Sequence, residues 1–229
     1  MMSYAILPAQ PGITYHVDLG ENNVSGGLFI KSVLSGHYQL GKNKIETGFR
    51  YDLKNYNPLF FSGYKISASR YLSAKKNLIE LEGFYLRTFS SELLSETNLG
   101  CYLDIRFRRF ILATGTDFRT YSFRDRVVKN LEIEENATSI HENFIVLYSF
   151  SYYLNPNDDN WNIGLSVTNI DNFSINQETN PLLFLRGVYD PFSRLGLFTE
   201  FCYKPAGICN LAVNHFGFFL RTGIKWNVN

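Results

Sequence analysis

Period two runs through this chain almost from end to end, and that alone excludes most architectures. Residues that alternate apolar with polar belong to strands with one face in an apolar medium, whereas a helix repeats every 3.6 residues. Ile45, Thr47, Phe49, Tyr51 and Leu53 interleave with Glu46, Gly48, Arg50, Asp52 and Lys54. Leu99, Cys101, Leu103, Ile105 and Phe107 interleave with Gly100, Tyr102, Asp104, Arg106 and Arg108. The clearest run is the last, where Phe216, Phe218, Leu220, Thr222, Ile224 and Trp226 oppose Gly217, Phe219, Arg221, Gly223 and Lys225. Helical periodicity is nearly absent.

This pattern predicts about twelve strands, within a range of 10 to 14, near 12–20, 31–41, 44–54, 62–72, 77–89, 97–108, 110–122, 143–154, 160–170, 181–190, 195–204 and 216–226. The first and tenth are the least regular. In the tenth, Arg186 falls in phase with Leu182, Phe184 and Val188, so one face is mixed. No stretch of about eighteen apolar residues occurs, which excludes a spanning helix. A spanning strand needs only about ten alternating residues.

The joins constrain the fold further. Gly41 to Asn43, Ser73 to Lys76, Arg108-Arg109, Asn155 to Asp159 and Asp190 to Arg194 are short. Between them lie longer polar joins: Glu21 to Ile30, Asn55 to Phe61, Ser90 to Glu96, Phe123 to Glu142, Asp171 to Asn180 and Lys204 to His215. In a meander every second join lies at the same rim, so one rim carries the long loops and the other the short turns. Transmembrane barrels sort their loops this way. An even strand count returns both ends to the short-turn rim. The expected fold is therefore all-β: a closed antiparallel up-and-down transmembrane β-barrel in one domain over 1–229, with 1–11 as a short periplasmic tail. Met1 to Ala9 lack the basic start and long apolar stretch of a complete signal peptide.

Alternation does not by itself tell a lipid-facing barrel from a soluble one with a greasy interior. Three features favour lipid outside. Twelve strands leave a lumen too wide for side chains alone to fill. The polar face is rich in Gly, Ser and Thr beside isolated charges, which suits a wet lumen. Aromatic residues, 16% of the chain against 19% charged, gather at strand ends. Phe107, Phe110, Trp161 and Trp226 all fall at the short-turn rim, where an interfacial girdle is expected.

The closing segment, with aromatic or aliphatic residues at nearly every second position through Trp226, resembles the terminal-strand signal of bacterial outer-membrane proteins. That resemblance covers about eleven residues, and the chain departs from it by running on through Asn227-Val228-Asn229. It implies a Gram-negative outer-membrane location, a lipid surround and engagement with the barrel assembly machinery. It is a likeness to the class, not to one family.

The inward face carries the chemistry. Arg50, Lys65, Arg106, Arg108, Arg119, Arg221 and Lys225 are phased inward, with Arg186 in the mixed strand. Glu46, Asp52, Glu80, Glu82, Asp104, Asp117 and Glu200 share that face, so the two signs nearly cancel. A selective pore usually carries a ring of one sign, whereas a balanced set reads as cross-strand ion pairs. Ser35 and His37 share a face of the second strand, faintly like the outer-membrane phospholipase, but no base and orienting third group accompany them. His141 and Glu142 lie in a polar loop. No catalytic residues are assigned.

The net charge of +1 and the lack of a basic stripe exclude a nucleic-acid binder. The three Cys and four His show no zinc spacing, so no metal or cofactor is expected. Cys202 and Cys209 flank a Pro-Ala-Gly turn signal in the last long loop, where a reversal would set them at disulfide separation; the alternative is two free thiols, with Cys202 pointing into the barrel. Two functions stay open: a narrow passive channel for small solutes, and a non-catalytic scaffold or adhesion barrel that binds a partner through loops such as Phe123 to Glu142, with its Glu132, Glu134 and Glu135 beside Arg124, Arg126 and Lys129. A barrel enzyme acting on lipid or peptide is third.

Overall fold

Twelve antiparallel strands close into one ring because the first and last pair with each other: Ile13 lies opposite Trp226, and Leu19 opposite Leu220. The computed structural model describes residues 10–22, 27–54, 60–74, 77–89, 91, 93–131, 138–155, 160–175, 181–192, 194–204 and 217–228. The barrel strands are β1 (Gln10–Asn22), β2 (Gly27–Leu40), β3 (Asn43–Asp52), β4 (Phe61–Ala74), β5 (Asn77–Phe89), β6 (Leu94–Phe107), β7 (Phe110–Phe123), β8 (Ser139–Tyr153), β9 (Trp161–Thr168), β12 (Leu182–Phe192), β13 (Leu195–Tyr203) and β14 (Phe218–Asn227). All twelve expected strands are present. Closure leaves no unpaired sheet edge around the ring, which lipid would penalise.

Two elements were not foreseen. A short helix, α1 (Asp125–Leu131), sits within the join between β7 and β8. A two-stranded hairpin, β10 (Ile170–Asp171) with β11 (Ser174–Ile175), follows β9. β1 also begins at Gln10, so positions 10 and 11 belong to the wall and not to a tail; residues 1–9 lie outside the described residues.

The long and short joins fall at opposite rims as the meander requires. Two of the expected long joins are nevertheless modest, because strand pairing runs on to Asn22 opposite Gly27 and to Phe89 opposite Ser95. Local polarity had hidden those strand ends. At the other rim, Gly41 takes the left-handed φ of 58° in the β2–β3 turn. Arg108 takes φ 50° in the β6–β7 turn, the conformation that tight two-residue hairpins need.

The outer face is apolar along its length. Leu34, Ile45, Ile66, Leu81, Leu99, Leu165, Leu185 and Leu220 are all exposed on it, an arrangement water would not tolerate on this scale. Trp161 and Trp226 project outward at the short-turn rim. Phe107 meets Phe110 across its turn at 5.5 Å, and Phe110 meets Tyr152 at 5.2 Å. A second aromatic belt stands at the long-loop rim, which composition had not located. There Phe61 packs against Phe49, Tyr51, Tyr64 and Phe89, while Phe118 meets Phe144 and Phe201 meets Phe218.

Candidate functional site: a polar vestibule under an apolar septum

The inward face is divided into two zones by a segment that leaves the wall. β9 stops pairing at Thr168, and the chain turns into the lumen at Asn169. This departure would strand backbone groups on β8. The buried Asn169 amide replaces the missing strand: its Oδ1 accepts from the Tyr148 N–H at 2.8 Å, and its Nδ2 donates to the Val146 carbonyl at 2.7 Å. The segment then crosses to β3, six places round the twelve-strand ring from β9. There the Arg50 Nη1 donates to the Phe173 carbonyl at 3.1 Å, and its guanidinium lies 5.5 Å from the Phe173 ring. Arg50 is also held by Ser62 through the hydroxyl and the backbone carbonyl.

Phe173 completes an apolar cluster with Val33, Phe84, Leu86, Ile145 and Leu147, edged by Tyr102 and Ile170. A second cluster, Leu182, Cys202 and Phe219 with Phe29 and Phe184, adjoins it on the other side of the ring. Together they form a septum drawn from β2, β5, β6, β8 and β12 to β14. This explains the mixed face of β12: Leu182 and Phe184 point inward because the lumen is apolar at that depth. Cys202 is a free thiol, fully buried within the second cluster, because β13 turns it inward and away from the last loop. The expected bridge to Cys209 does not hold this thiol; Cys209 lies outside the described residues.

On the short-turn side of the septum lies a polar cavity of about 620 Å³. Glu46, Lys65, Glu80, Glu82, Asp104, Arg106, Glu200, Arg221 and Lys225 all line it, as does Arg186. Its charges are paired: Lys44–Glu46 at 2.7 Å, Lys65–Glu82 at 3.2 Å, Arg106–Glu80 at 2.8 Å and Arg186–Glu200 at 3.2 Å. Glu80 also accepts from the Ser69 hydroxyl at 2.8 Å. Arg221 is the densest node, bonded to Asp18 (2.8 Å), Asp171 (2.8 Å) and Glu200 (3.0 Å). Asp18 and Glu200 belong to the wall, and Asp171 to the crossing segment. Burial alone would push the Asp171 carboxyl up, but the Arg221 guanidinium and the Asn172 backbone hold it below its ordinary range.

The remaining expected lumen residues lie elsewhere. Arg50, Asp52, Asp117 and Arg119 are buried inside the barrel on the long-loop side of the cavity, where Arg119 pairs with Glu96 at 3.2 Å and donates to the Asn98 side-chain carbonyl. Arg108 is not a lumen residue. It sits exposed on the β6–β7 turn, since strand pairing ends at Phe107 opposite Phe110. Asp18, Lys44, Glu96 and Asp171 were missed as partners. Asp171 lay in an expected loop, and nothing local announces a loop that folds inward. Ser35 and His37 both line the cavity, but no hydrogen bond joins them; the His37 ring lies over Gly12 of the neighbouring strand. The His141 ring contacts Thr120 and Ser139 hydroxyls at the exposed start of β8; of Glu142 the structure describes only the backbone.

A closed wall with apolar outside, charged inside and an aromatic belt at each rim defines a transmembrane β-barrel of the bacterial outer-membrane kind. Solved structures of that class share the fold. The KdgM porin matches with a TM-score of 0.57 at 11% identity, over 95% of this chain and 99% of that one. The COG4313 outer membrane channel from Pseudomonas putida F1 gives 0.56 at 11% identity, over 98% and 97%. The outer membrane protein Omp33 of Acinetobacter baumannii gives 0.50 at 10% identity, over 98% and 100%. No family model matches the sequence, and no curated protein matches it.

Proposed function

We propose that the protein is a narrow passive channel for small solutes, seated in outer-membrane lipid, with its bore set by the crossing segment. One observation carries this reading: the axis of the barrel holds a charged, water-compatible cavity of about 620 Å³, bounded toward the long-loop side by the apolar layer around Phe173. A barrel that served only as a scaffold has no need of such a chamber. Mutually paired charges keep the chamber wet without giving it a strong overall sign, which suits small polar solutes better than a single bulk ion. No catalytic group is assigned: Ser35 and His37 line the cavity, but no hydrogen bond joins the pair, and Glu46, the carboxylate opposite His37, is bound to Lys44.

Planar-bilayer recording tests the reading. The expected result is stepwise current of low unit conductance that rises when Phe173 is shortened. Silence from both wild type and Phe173→Ala, with folding verified by heat-dependent migration in SDS, overturns it in favour of a scaffold that works through its loops.

A further inference from the structure

The outer aromatic belt is interrupted over one arc of the long-loop rim. On β3 to β5 it is continuous, with Phe49, Tyr51, Phe61, Tyr64 and Phe89 packed against one another. At the same height on β6 to β8 the outward residues are short and polar. One row of the register runs Arg87, Thr97, Thr120 and His141 across four neighbouring strands. The next row toward the loops runs Phe89, Ser95, Ser122 and Ser139. In the row beneath, Leu99 lies opposite Tyr85 and Phe118, so the wall is apolar again there. The polar rows share the face of the exposed Leu99 and Phe118 and therefore point away from the lumen. The exposed His141 ring ties them together, with Nδ1 3.0 Å from the Thr120 hydroxyl and Nε2 3.3 Å from that of Ser139.

Two arginines stand at the edge of this gap, on one ring. The Arg87 guanidinium lies 5.6 Å from the Phe89 centroid, and that of Arg124 lies 5.2 Å from it. Arg124 is brought there by the chain entering α1, where its N–H donates to the Leu93 carbonyl of the β5–β6 join at 2.9 Å. Contact with the ring face holds both cations at the belt. Neither makes an ion pair with any described residue. The described carboxylates of this arc lie elsewhere: Glu96 pairs with Arg119 inside the barrel, Asp117 is buried there, and Asp125 is exposed on α1. Glu142 is in register with the inward Arg119. Glu92, Glu132, Glu134 and Glu135 lie outside the described residues.

The long-loop rim of such a barrel faces the exterior, so this patch meets the outer leaflet at headgroup depth. Acyl chains leave hydroxyl groups without hydrogen-bond partners, whereas a sugar ring offers both donors and acceptors. A guanidinium matches phosphate oxygens with two parallel bonds. An arginine that merely snorkels would run past apolar wall into mixed headgroups; here both are held against Phe89 beside a polar surface.

We propose that Arg87, Phe89 and Arg124, with the hydroxyl rows of β6 to β8, dock one phosphorylated glycolipid of the outer leaflet, its phosphate on the guanidiniums and its sugar on the hydroxyls. The site rests on the seat in the outer membrane and not on the channel reading.

The test is native mass spectrometry of the full chain folded in detergent, titrated with bisphosphorylated lipid A. One saturable adduct is expected. Removing the phosphates from the probe, or Arg87→Gln with Arg124→Gln, should weaken it about tenfold or more. Arg87→Lys with Arg124→Lys should weaken it several-fold, because charge remains while the planar fork is lost. Thr97→Val with Thr120→Val should weaken it several-fold and leave the weaker binding of phosphatidylglycerol, which has no sugar ring, unchanged. Lys42→Gln, at an exposed cation in the β2–β3 turn of the opposite rim, should change nothing. Equal binding of the dephosphorylated probe overturns the proposal, as does an adduct that survives the double Gln variant with its heat-dependent migration intact. Inorganic phosphate that saturates the site and displaces the lipid would make it a site for a soluble anion and overturn the lipid assignment. Lipid bound only after Glu132, Glu134 and Glu135 are all replaced by Gln would show that the loop already occupies the arginines, and would overturn it as well.

Discussion

The two zones of the lumen solve one problem in opposite ways. On the short-turn side the interior is a cavity lined by paired charge; toward the long-loop side it is closed by a layer of Phe173, Phe84, Leu86, Leu147 and Phe219, with buried polar groups such as Arg119 and Glu96 beside it. Both satisfy the rule that a buried group needs a partner of its own kind. They differ in what removing one group costs. A charge node fails through its centre, since losing Arg221 takes a partner from all three acids at once. An apolar layer fails piecemeal, by one cavity at a time. The crossing segment belongs to both zones, tied to the first by Asp171 and to the second by Phe173.

Arg221 gives the sharpest way to break this contrast. It lies buried among three carboxylates, two from the wall and one from the crossing segment. Arg221→Met leaves Asp18, Asp171 and Glu200 without it, and stranding buried charge of this kind costs about 3–5 kcal/mol. Urea unfolding of the detergent-folded barrel should show that loss. Adding Asp18→Asn should recover part of it, since one stranded charge goes. A loss below about 1 kcal/mol would mean that water reaches the node freely and that the zones are less distinct than drawn.

Phe173→Ala addresses the other zone. Removing a buried aromatic ring typically costs about 3–5 kcal/mol where the structure cannot relax. Here the cost should fall on docking of the segment more than on the barrel, because the wall strands keep all their ladder bonds without it. Amide exchange at Asn172 to Ser174 should accelerate while β5 and β6 remain protected, and unit conductance should rise. Equal acceleration everywhere would show that the septum supports the whole barrel.

A third change acts on the vestibule alone. Glu80 and Glu82 neutralise Arg106 and Lys65. Replacing both by Gln removes two negative charges, leaving Lys65 without its partner and Arg106 with Asp104 alone, and should move the reversal potential toward anion selectivity. An unchanged potential in an open channel would place the conducting path away from β5.

The strands were legible in the sequence because their signal is local: each residue of β3 or β14 declares its face through its two neighbours. The inward set was legible for the same reason. What local alternation does not carry is depth along the barrel. Leu182 and Phe184 broke the pattern because the lumen itself turns apolar there, and Arg108 kept the pattern past the last paired residue. The partners of Arg221 were hidden for a different reason. Asp18 is next to it only because β1 closes on β14, and Asp171 only because a loop folds inward, and both contacts join residues far apart in the chain.

Asp171 supports the smallest prediction, one that tests whether the crossing segment is a detachable part. Its carboxyl is held below the usual range in the docked state, since Arg221 outweighs the effect of burial. A depressed folded value means that the charged form favours docking. That contribution is complete above the undocked value of about 3.9 and fades as pH falls through the docked one. The segment should therefore stay docked at neutral pH and loosen only in strong acid, with amide exchange at Asn172 rising below about pH 4. Arg221 would keep Asp18 and Glu200 on detachment, so the wall loses no more than one of three partners. Arg221 donates to both Asp171 oxygens, and Asp171→Asn keeps only one acceptor, so it should cost about 1.5–3 kcal/mol of docking at pH 7, the scale of one charge-assisted hydrogen bond, and should flatten this acid dependence. Equal acid sensitivity in wild type and Asp171→Asn would assign the loosening to the carboxylates of the wall, and the segment would then be a fixed part of the barrel and not a hinged one.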